Sequence, residues 1–384
     1  MNRREAFAAT VNHQEPERVL VDYGKHIGSF HRQAYEQLLA YLGIETDIRI
    51  LDRMAQNVVL DEAVCQRLGI DFRWIVPHWV GVRDVEIDGE KGYIDMWQTP
   101  HQWTEVGNYY AVHDQPLGQE DLTMDEIESF DWPDPDDPAM FTGLREKAKS
   151  WYQDTDYVVG ADGIKAGILQ TAAQIRGYDK LFLDFSLEPD RAHAVLKKIS
   201  ATIDQMYRNY MQAVGEYVQV VVITDDQGTQ NSLMISPDMF REFIKPYLRS
   251  QIEAIKANAD VKVLMHCDGA VLRIVDDLID IGVDILNPIQ TVVDGFEDTY
   301  ALKEAYGDRI CFHGGIDVQQ VLPNATVEEV RREVAGRIYD LGRGGGYILA
   351  PCHNINVDIP VENAVAMFDA AHQSGHYPLK KPKR

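Results

Sequence analysis

Imidazole nitrogen, thiolate sulfur and carboxylate oxygen make up the donor set that proteins offer to Zn(II), and all three occur side by side at His266, Cys267 and Asp268 in the run VLMHCDG. A second pair, Cys352 and His353, stands in LAPCH towards the end of the chain. A catalytic zinc site takes three protein ligands and keeps one position open for substrate. Strand geometry narrows the choice. Successive side chains on a strand point to opposite faces, so His266 and Asp268 share one face and Cys267 takes the other, provided the strand runs that far. The spacing therefore predicts His266, Asp268 and Cys352 as ligands, with Cys267 in reserve if the strand stops at His266. The competing reading is ordinary packing, a buried thiol acting as a small hydrophobe next to a hydrogen-bonded imidazole. Cys65 and Cys311 have no His or Cys at ligand spacing and read as core, and 4 cysteines in 384 residues are too few for a disulfide framework.

Residues so far apart in sequence converge only if the fold brings them together. Short β-branched runs that end in polar residues occur at 19–23, 72–76, 157–162, 218–225, 261–266, 284–288, 310–313 and 347–351. Segments with apolar residues at three- and four-residue spacing separate most of them, at 32–42, 179–210, 237–257, 270–281, 326–341 and 361–371. Two of these have readable starts: Ser236 before Pro237, and Thr326 followed by Glu329 as a capping box. Strands alternating with helices imply a parallel sheet, and this number of strands predicts a closed (β/α)8 TIM barrel of the α/β class, a single domain over 1–384. The stretch after the second strand breaks the rhythm. From Pro77 to Trp151, an insertion of about 77–156, it carries Trp79, Trp97, Trp103, Tyr109, Tyr110 and DWPDPDDP. It reads either as a surface excursion or as an aromatic lid, since long insertions in compact domains often serve the site. GRGGG at 342–346 lacks the spacing and the Lys-Ser/Thr of a phosphate loop and reads as a helix end turning into the last strand.

In such a barrel the site lies at the C-terminal strand ends. Polar residues collect there: Asp162 after the third run, Asp225 and Asp226 after the fourth, His266 to Asp268 after the fifth, Asn287 and Gln290 after the sixth, His313 after the seventh, Cys352 and His353 after the eighth. Each Asp taken alone reads equally well as a helix cap or turn residue. Repetition around the ring favours a site.

Composition removes other classes. With 37 Lys+Arg against 61 Asp+Glu the formal net charge is -24, and the one dense basic run is 380–384, which reads as a solvated end; nucleic acid is not an expected partner. No window approaches the ~18 apolar residues of a membrane span, and the first residues lack the apolar core of a signal peptide, so the expectation is a cytoplasmic protein with no membrane partner.

Taken in order, EPERVLVDYG, IDMWQ, SFDWPDPDD, DDQGTQNSLMISPDMFREFIKPY, HCDGAVLRIVDDLIDIGVDILNPIQ, FHGGIDVQQVLP and GGGYILAPCHNINVDIPVENAVAMFDAA resemble the uroporphyrinogen decarboxylase-like superfamily over nearly the whole chain. The resemblance implies a TIM barrel. Within that superfamily the decarboxylases grip a tetrapyrrole with eight carboxylates through an Arg-rich loop after the first strand, where this chain has DYGKHIGSFHRQAY and Arg32 alone. The corrinoid-dependent methyltransferase and O-demethylase branch is marked by His-x-Cys and a distant Cys on zinc. This chain matches at His266 and Cys352 and departs at Asp268, a harder ligand suited to an oxygen-rich substrate such as a methoxy compound. The resemblance implies Zn(II) acting as Lewis acid on the ether oxygen of a small methoxylated, aromatic substrate, the methyl passing to cobalt on a separate corrinoid protein. On that reading Trp97, Trp103 and Tyr109 hold the aryl ring. Asp225, Asp226, Asn287 and Gln290 orient the substrate, with Asp162 behind them, and His353 or His313 bonds the phenolic oxygen or serves as acid. No run in this chain resembles a cobalamin-binding domain, hence the corrinoid partner; the same likeness implies a homodimer. Two rivals stay open, a metal-free decarboxylase-like lyase working through Asp226 and the histidines, and a non-catalytic barrel-fold binding protein.

Overall fold

The computed structural model describes residues 1–382, so the last two residues of the basic tail, Lys383 and Arg384, lie outside the described residues. Eight parallel strands run in the order of the chain: β1 (Leu20–Val21), β2 (Phe72–Ile75), β3 (Val158–Ala161), β4 (Val220–Thr224), β5 (Lys262–His266), β6 (Ile285–Ile289), β7 (Cys311–Ile316) and β8 (Tyr347–Pro351). From β2 onward each pairs with its sequence neighbour, and β1 pairs with β8 through Leu20 to Ile348 and Val21 to Leu349. This is the α/β TIM barrel expected from the strand count. Both faces of the strands are covered, which is why they read as nearly continuous apolar runs.

The β1–β2 seam has no regular ladder. It is closed by Asp71, whose backbone N–H donates to the Val21 carbonyl (2.9 Å) and whose carboxylate accepts the Val21 N–H (2.9 Å). Arg18 places two N–H groups on the same carboxylate (2.8 and 2.5 Å) and Arg3 Nε a third (3.1 Å). Asp71 is fully buried, so these donors neutralise a charge that has left water.

Inside the barrel the lower layer is apolar, built from Leu20, Phe72, Val158, Val220, Val222, Leu264, Ile285, Cys311 and Ile348, with Phe7 and Val11 of the N-terminal helix Arg3–Val11 closing the floor. Trp74 stands above it, stacked on Phe72 at 5.9 Å between centroids. A methyl group at Gly160 would lie 2.3 Å from the Trp74 ring, so that strand position is restricted to glycine.

The helices differ in detail from the periodicity. The segment 179–210 is two helices, Tyr178–Leu187 and Pro189–Val214, because Pro189 cannot continue the first and suits the opening turn of the second. The stretch after β2 contains a four-stranded antiparallel sheet of Arg83–Ile87, Glu90–Ile94, Pro100–Thr104 and Tyr109–Val112. Its first hairpin turns at Asp88-Gly89, both at positive φ (52° and 83°), the backbone that a two-residue turn needs. The end of this stretch, the helix Leu144–Asp154, packs on β2 and β3 as a regular barrel helix. Among the described residues no helix is long and apolar enough to cross a membrane.

Asp71→Asn removes the charge that Arg3 and Arg18 share and is expected to lower the unfolding free energy by about 3 kcal/mol. Urea denaturation measures it, with the surface change Arg32→Ala as a control expected within about 0.5 kcal/mol of wild type.

Candidate active site at the barrel mouth

The loops after β4 and β5 meet backbone to backbone. A Cβ at Gly269 would come within 2.4 Å of the Gly228 backbone, and only glycines allow this approach. It brings the Asp268 N–H onto Asp226 Oδ1 (2.8 Å) and sets the two carboxyl groups side by side. His266, at the last position of β5, turns its Nε2 towards them, 3.7 Å from Asp268 Oδ2 and 4.0 Å from Asp226 Oδ1. His353, just past β8, places Nε2 at 3.9 Å from the same Asp268 oxygen. Donor atoms of His266, Asp268 and His353 all lie within 4.8 Å of one another.

Their state suits a cation. Asp268 Oδ1 is buried without any hydrogen-bond partner, a costly condition that a metal would relieve. Burial lowers the pKa of His353, which favours the neutral imidazole that metal binding requires. Burial, then the Asp268 charge, raises the pKa of Asp226, so it keeps its proton more readily than an ordinary aspartate. For bonds of ~2.1 Å a tetrahedral zinc needs donors about 3.4 Å apart, close to the 3.7 and 3.9 Å that Asp268 makes with the two histidines.

The third member of this cluster is His353, where the sequence reading expected Cys352. The Cys352 thiol lies 3.1 Å from the Ile289 carbonyl, and burial pushes its pKa far up, away from the thiolate a metal takes. Strand β8 stops at Pro351, and in the bend that follows it is His353 that faces Asp268. Cys267 is fully buried behind the strand in the strand–helix layer. Cys65 and Cys311 are likewise buried, with pKa values pushed up to about 11 and about 12 by burial.

Other strand-end residues support the mouth without facing it. Asp162, fully buried, accepts the His26 backbone N–H (2.8 Å), bonds His26 Nδ1 (2.5 Å) and so pins the loop after β1. Asp225 caps a helix, Ile168–Arg176, by accepting the N–H groups of Leu169 and Gln170 (3.1 and 3.0 Å); burial raises its pKa to about 7 against those bonds. Gln290 accepts the Gly269 N–H (2.7 Å). Asn287 bridges His266 Nδ1 (2.6 Å) and His313 Nδ1 (2.7 Å). His313 is consequently remote from any substrate: its other nitrogen bonds Asp22 Oδ2 (2.8 Å), which also holds Lys25 Nζ (2.6 Å), while Trp74 Nε1 donates to Asp22 Oδ1 (2.9 Å). Asp22, Lys25, Trp74 and His26 escaped the sequence reading, although Leu20 faces the barrel interior and Asp22 has the same strand parity.

A cavity of about 310 Å³ opens above the cluster. Asp226, His266 and His353 form its polar end, and Trp79, Tyr93, Trp97, Met54 and Met96 supply apolar wall. Trp97 thus reaches the cavity. Trp103 instead packs on Tyr110 (5.1 Å between centroids), outside the cavity lining, and Tyr109 is exposed. Lys165 is the one Lys or Arg in the lining, held by the Leu51 carbonyl (3.0 Å) and Asp52 (3.3 Å) with its ammonium 4.1 Å from the Trp79 ring centroid. Asp95, in the stretch after β2, bonds His101 Nε2 at 2.8 Å.

The sequence profile of the uroporphyrinogen decarboxylase (URO-D) family matches residues 112–374. Uroporphyrinogen decarboxylase of Psychromonas ingrahamii is 23% identical over 279 residues, which cover 70% of this chain and 74% of that protein. The enzyme of the same name from Alkalilimnicola ehrlichii is 29% identical over 189 residues, 48% of each chain. Among solved structures, a methyltransferase from Methanosarcina mazei superposes with a TM-score of 0.63 at 17% identity, covering 97% of this chain and 99% of that one, a likeness of fold.

Burial, then the Lys25 ammonium, depresses His313 to about 4, whereas an unfolded histidine titrates near 6.5. Between these values the unfolded chain binds a proton that the fold refuses, so stability falls as pH drops from 6.5 towards 4, by roughly 2–4 kcal/mol from this residue. Burial would raise Asp22, but Lys25 and His313 outweigh it and hold it at about 2; its stabilisation is lost only below 3.8, outside that window. Urea titrations at pH 6.5 and 4.5 are expected to show a smaller loss for His313→Gln than for wild type. An equal loss would refute the assignment.

Proposed function

This chain belongs to the uroporphyrinogen decarboxylase (URO-D) family, and on that premise we propose a zinc-dependent methyltransferase that takes a methyl group from a small methoxylated aromatic substrate and delivers it to the cobalt of a separate corrinoid protein. The observation that carries the reading is the Asp268 carboxylate, whose Oδ2 lies 3.7 and 3.9 Å from two histidine nitrogens while its Oδ1 is buried with no partner. His266, Asp268 and His353 would hold the ion and leave a position open towards the cavity. Bound there, zinc supplies Lewis acidity to the ether oxygen.

The chain's own groups do the rest. Trp79, Trp97 and Met96 offer a wall for an aryl ring, and at about 310 Å³ the cavity suits a single substituted ring. Asp226, with its raised pKa, stands beside Asp268, where its proton can hydrogen-bond the departing phenolic oxygen. Gln170 Nε2 donates to Asp226 Oδ2 (2.5 Å) and fixes the carboxyl. The corrinoid partner approaches from the mouth, past the antiparallel sheet after β2.

Tetrapyrrole decarboxylation fits the same lining less well. A substrate with eight carboxylates needs a ring of cations, and this cavity offers Lys165 alone against Asp52, Asp95 and Asp226. Arg32, the arginine of the segment after β1, sits on a helix surface paired with Glu36 at 3.1 Å.

Metal analysis tests the proposal first. Wild type is expected to hold about one zinc per chain, lost in His266→Ala, Asp268→Ala and His353→Ala and kept in Cys352→Ala and Cys267→Ala. Loss in Cys352→Ala with retention in His353→Ala would make the thiol the third donor. Absence of zinc after reconstitution would end the Lewis-acid mechanism and favour the metal-free lyase.

Methyl transfer is followed by the absorbance of the corrinoid partner with a panel of methoxyarenes. Asp226→Asn is expected to keep its zinc and lose roughly 10²–10⁴ in kcat. Full activity in that variant would remove Asp226 from the chemistry.

A further inference from the structure

The polar chain that begins at Asp22 admits one arrangement of protons, and its far end is His266. Asp22 is fully buried, and its carboxylate accepts from Lys25 Nζ and Trp74 Nε1. Lys25 Nζ also lies 3.4 Å from His313 Nε2, but a bare Nε2 would set its lone pair against the Asp22 Oδ2 carboxylate oxygen at 2.8 Å, and a carboxylate only accepts, so Nε2 carries the hydrogen. His313 is neutral, with its pKa lowered to about 4 by burial, which leaves Nδ1 as a lone pair. That lone pair takes a hydrogen from the Asn287 amide nitrogen at 2.7 Å. The Asn287 oxygen then faces His266 Nδ1 at 2.6 Å and requires a hydrogen from it. Each link is buried, with relative exposure of 5% or less, so water cannot substitute for a missing partner.

We infer that Asp22 is a positioning residue for His266: acting through His313 and Asn287, it locks His266 as the Nδ1–H tautomer and turns the bare Nε2 lone pair towards Asp268 and Asp226. In free histidine the other tautomer prevails. A relay of this kind orients a ligating imidazole from outside the ligand set. Its consequence for a metal rests on the zinc-dependent function proposed for the mouth; the tautomer itself does not.

The chemistry of Asp22 makes the relay reversible by substitution. In Asp22→Asn/Lys25→Met the pair of charges is removed together, so no buried charge is left alone. The amide oxygen can accept from Trp74 and its NH2 group can donate to His313 Nε2. His313 then carries its hydrogen on Nδ1, Asn287 flips, and His266 receives a hydrogen bond at Nδ1 and moves its own hydrogen to Nε2.

The experiment is long-range ¹H–¹⁵N correlation on histidine-labelled full-length protein without metal, with His266 assigned by comparison with His266→Gln. Wild type is expected as Nδ1–H and the double variant as Nε2–H. Zinc affinity, measured by chelator competition, is expected to weaken about 10- to 100-fold in the double variant. If the double variant fails to fold, Asn287→Leu replaces it, since cutting the relay alone should release His266 to the Nε2–H form. An Nε2–H wild type, or an unchanged tautomer in folded variants, would overturn the inference. A switched tautomer with unchanged zinc affinity would overturn the positioning role. A protein that shows the tautomer switch between wild type and variant yet demethylates no methoxyarene would sink the proposed function and leave the relay standing.

Discussion

The closed barrel depends on one buried carboxylate. Seven of its eight junctions are ordinary ladders between neighbouring strands, but β1 has only two residues and meets β2 through Asp71. A side chain here takes the part of a backbone carbonyl, and its remaining acceptor capacity goes to Arg3 and Arg18. The residue after β1 matters more than β1 itself. Asp22 is held in the barrel interior by its own N–H on the Leu349 carbonyl (3.0 Å). If the seam opens, the origin of the polar relay moves with it, and the imidazole at the mouth loses its distant anchor.

Polarity rises along the barrel axis, and this gradient keeps the site both dry below and wet above. The floor is aliphatic and aromatic but for Cys311, whose thiol donates to the Thr10 carbonyl (3.6 Å), so nothing there competes for the hydrogen bonds of the layer above. Above it Trp74 contributes a ring to the apolar layer and an N–H to Asp22, joining the two regimes in one residue. Asp22, His313 and Asn287 are satisfied among themselves, whereas Asp268 keeps one oxygen unpaired at the upper boundary. A network satisfied below, ending next to a carboxylate with one buried oxygen unpaired, places its residual free energy where a ligand can use it.

Legibility in the sequence followed burial. The eight strands stood out because a strand covered on both faces must be apolar throughout, and VVVIT or KVLMH permits little else. The insertion after β2 did not stand out as a sheet. Its strands RDVEI and EKGYI are largely solvated on one side and carry charges, so aromatic content was visible while the pairing was not; Asp88-Gly89 was the available signal. At the site, β5 ends at His266, short of the length the alternation rule required, yet Cys267 still turns into the strand–helix layer while His266 and Asp268 meet at the mouth. The choice between Cys352 and His353 turned on a single residue, where β8 ends and the backbone bends, and periodicity has no resolution at that scale. His313 and Asn287 looked like substrate contacts because strand-end position says nothing about depth. Both point inward, one layer below the mouth.

Family membership fixes the barrel, and the chemistry of the mouth then has to be argued from the mouth. The same strand ends that could carry a cluster of cations here carry Asp226, Asp268 and His353, and the loop after β1 commits its Lys25 to Asp22 rather than to a ligand. A cation so used is 1% exposed and absent from the cavity lining, so a carboxylate from outside does not reach it. The charge balance of the cavity is thereby set against polyanions by the demands of the relay. A neutral, apolar body with one basic oxygen meets no such penalty, and that constraint, coming from inside the barrel, is the strongest reason to look for an ether rather than a polycarboxylate as the substrate.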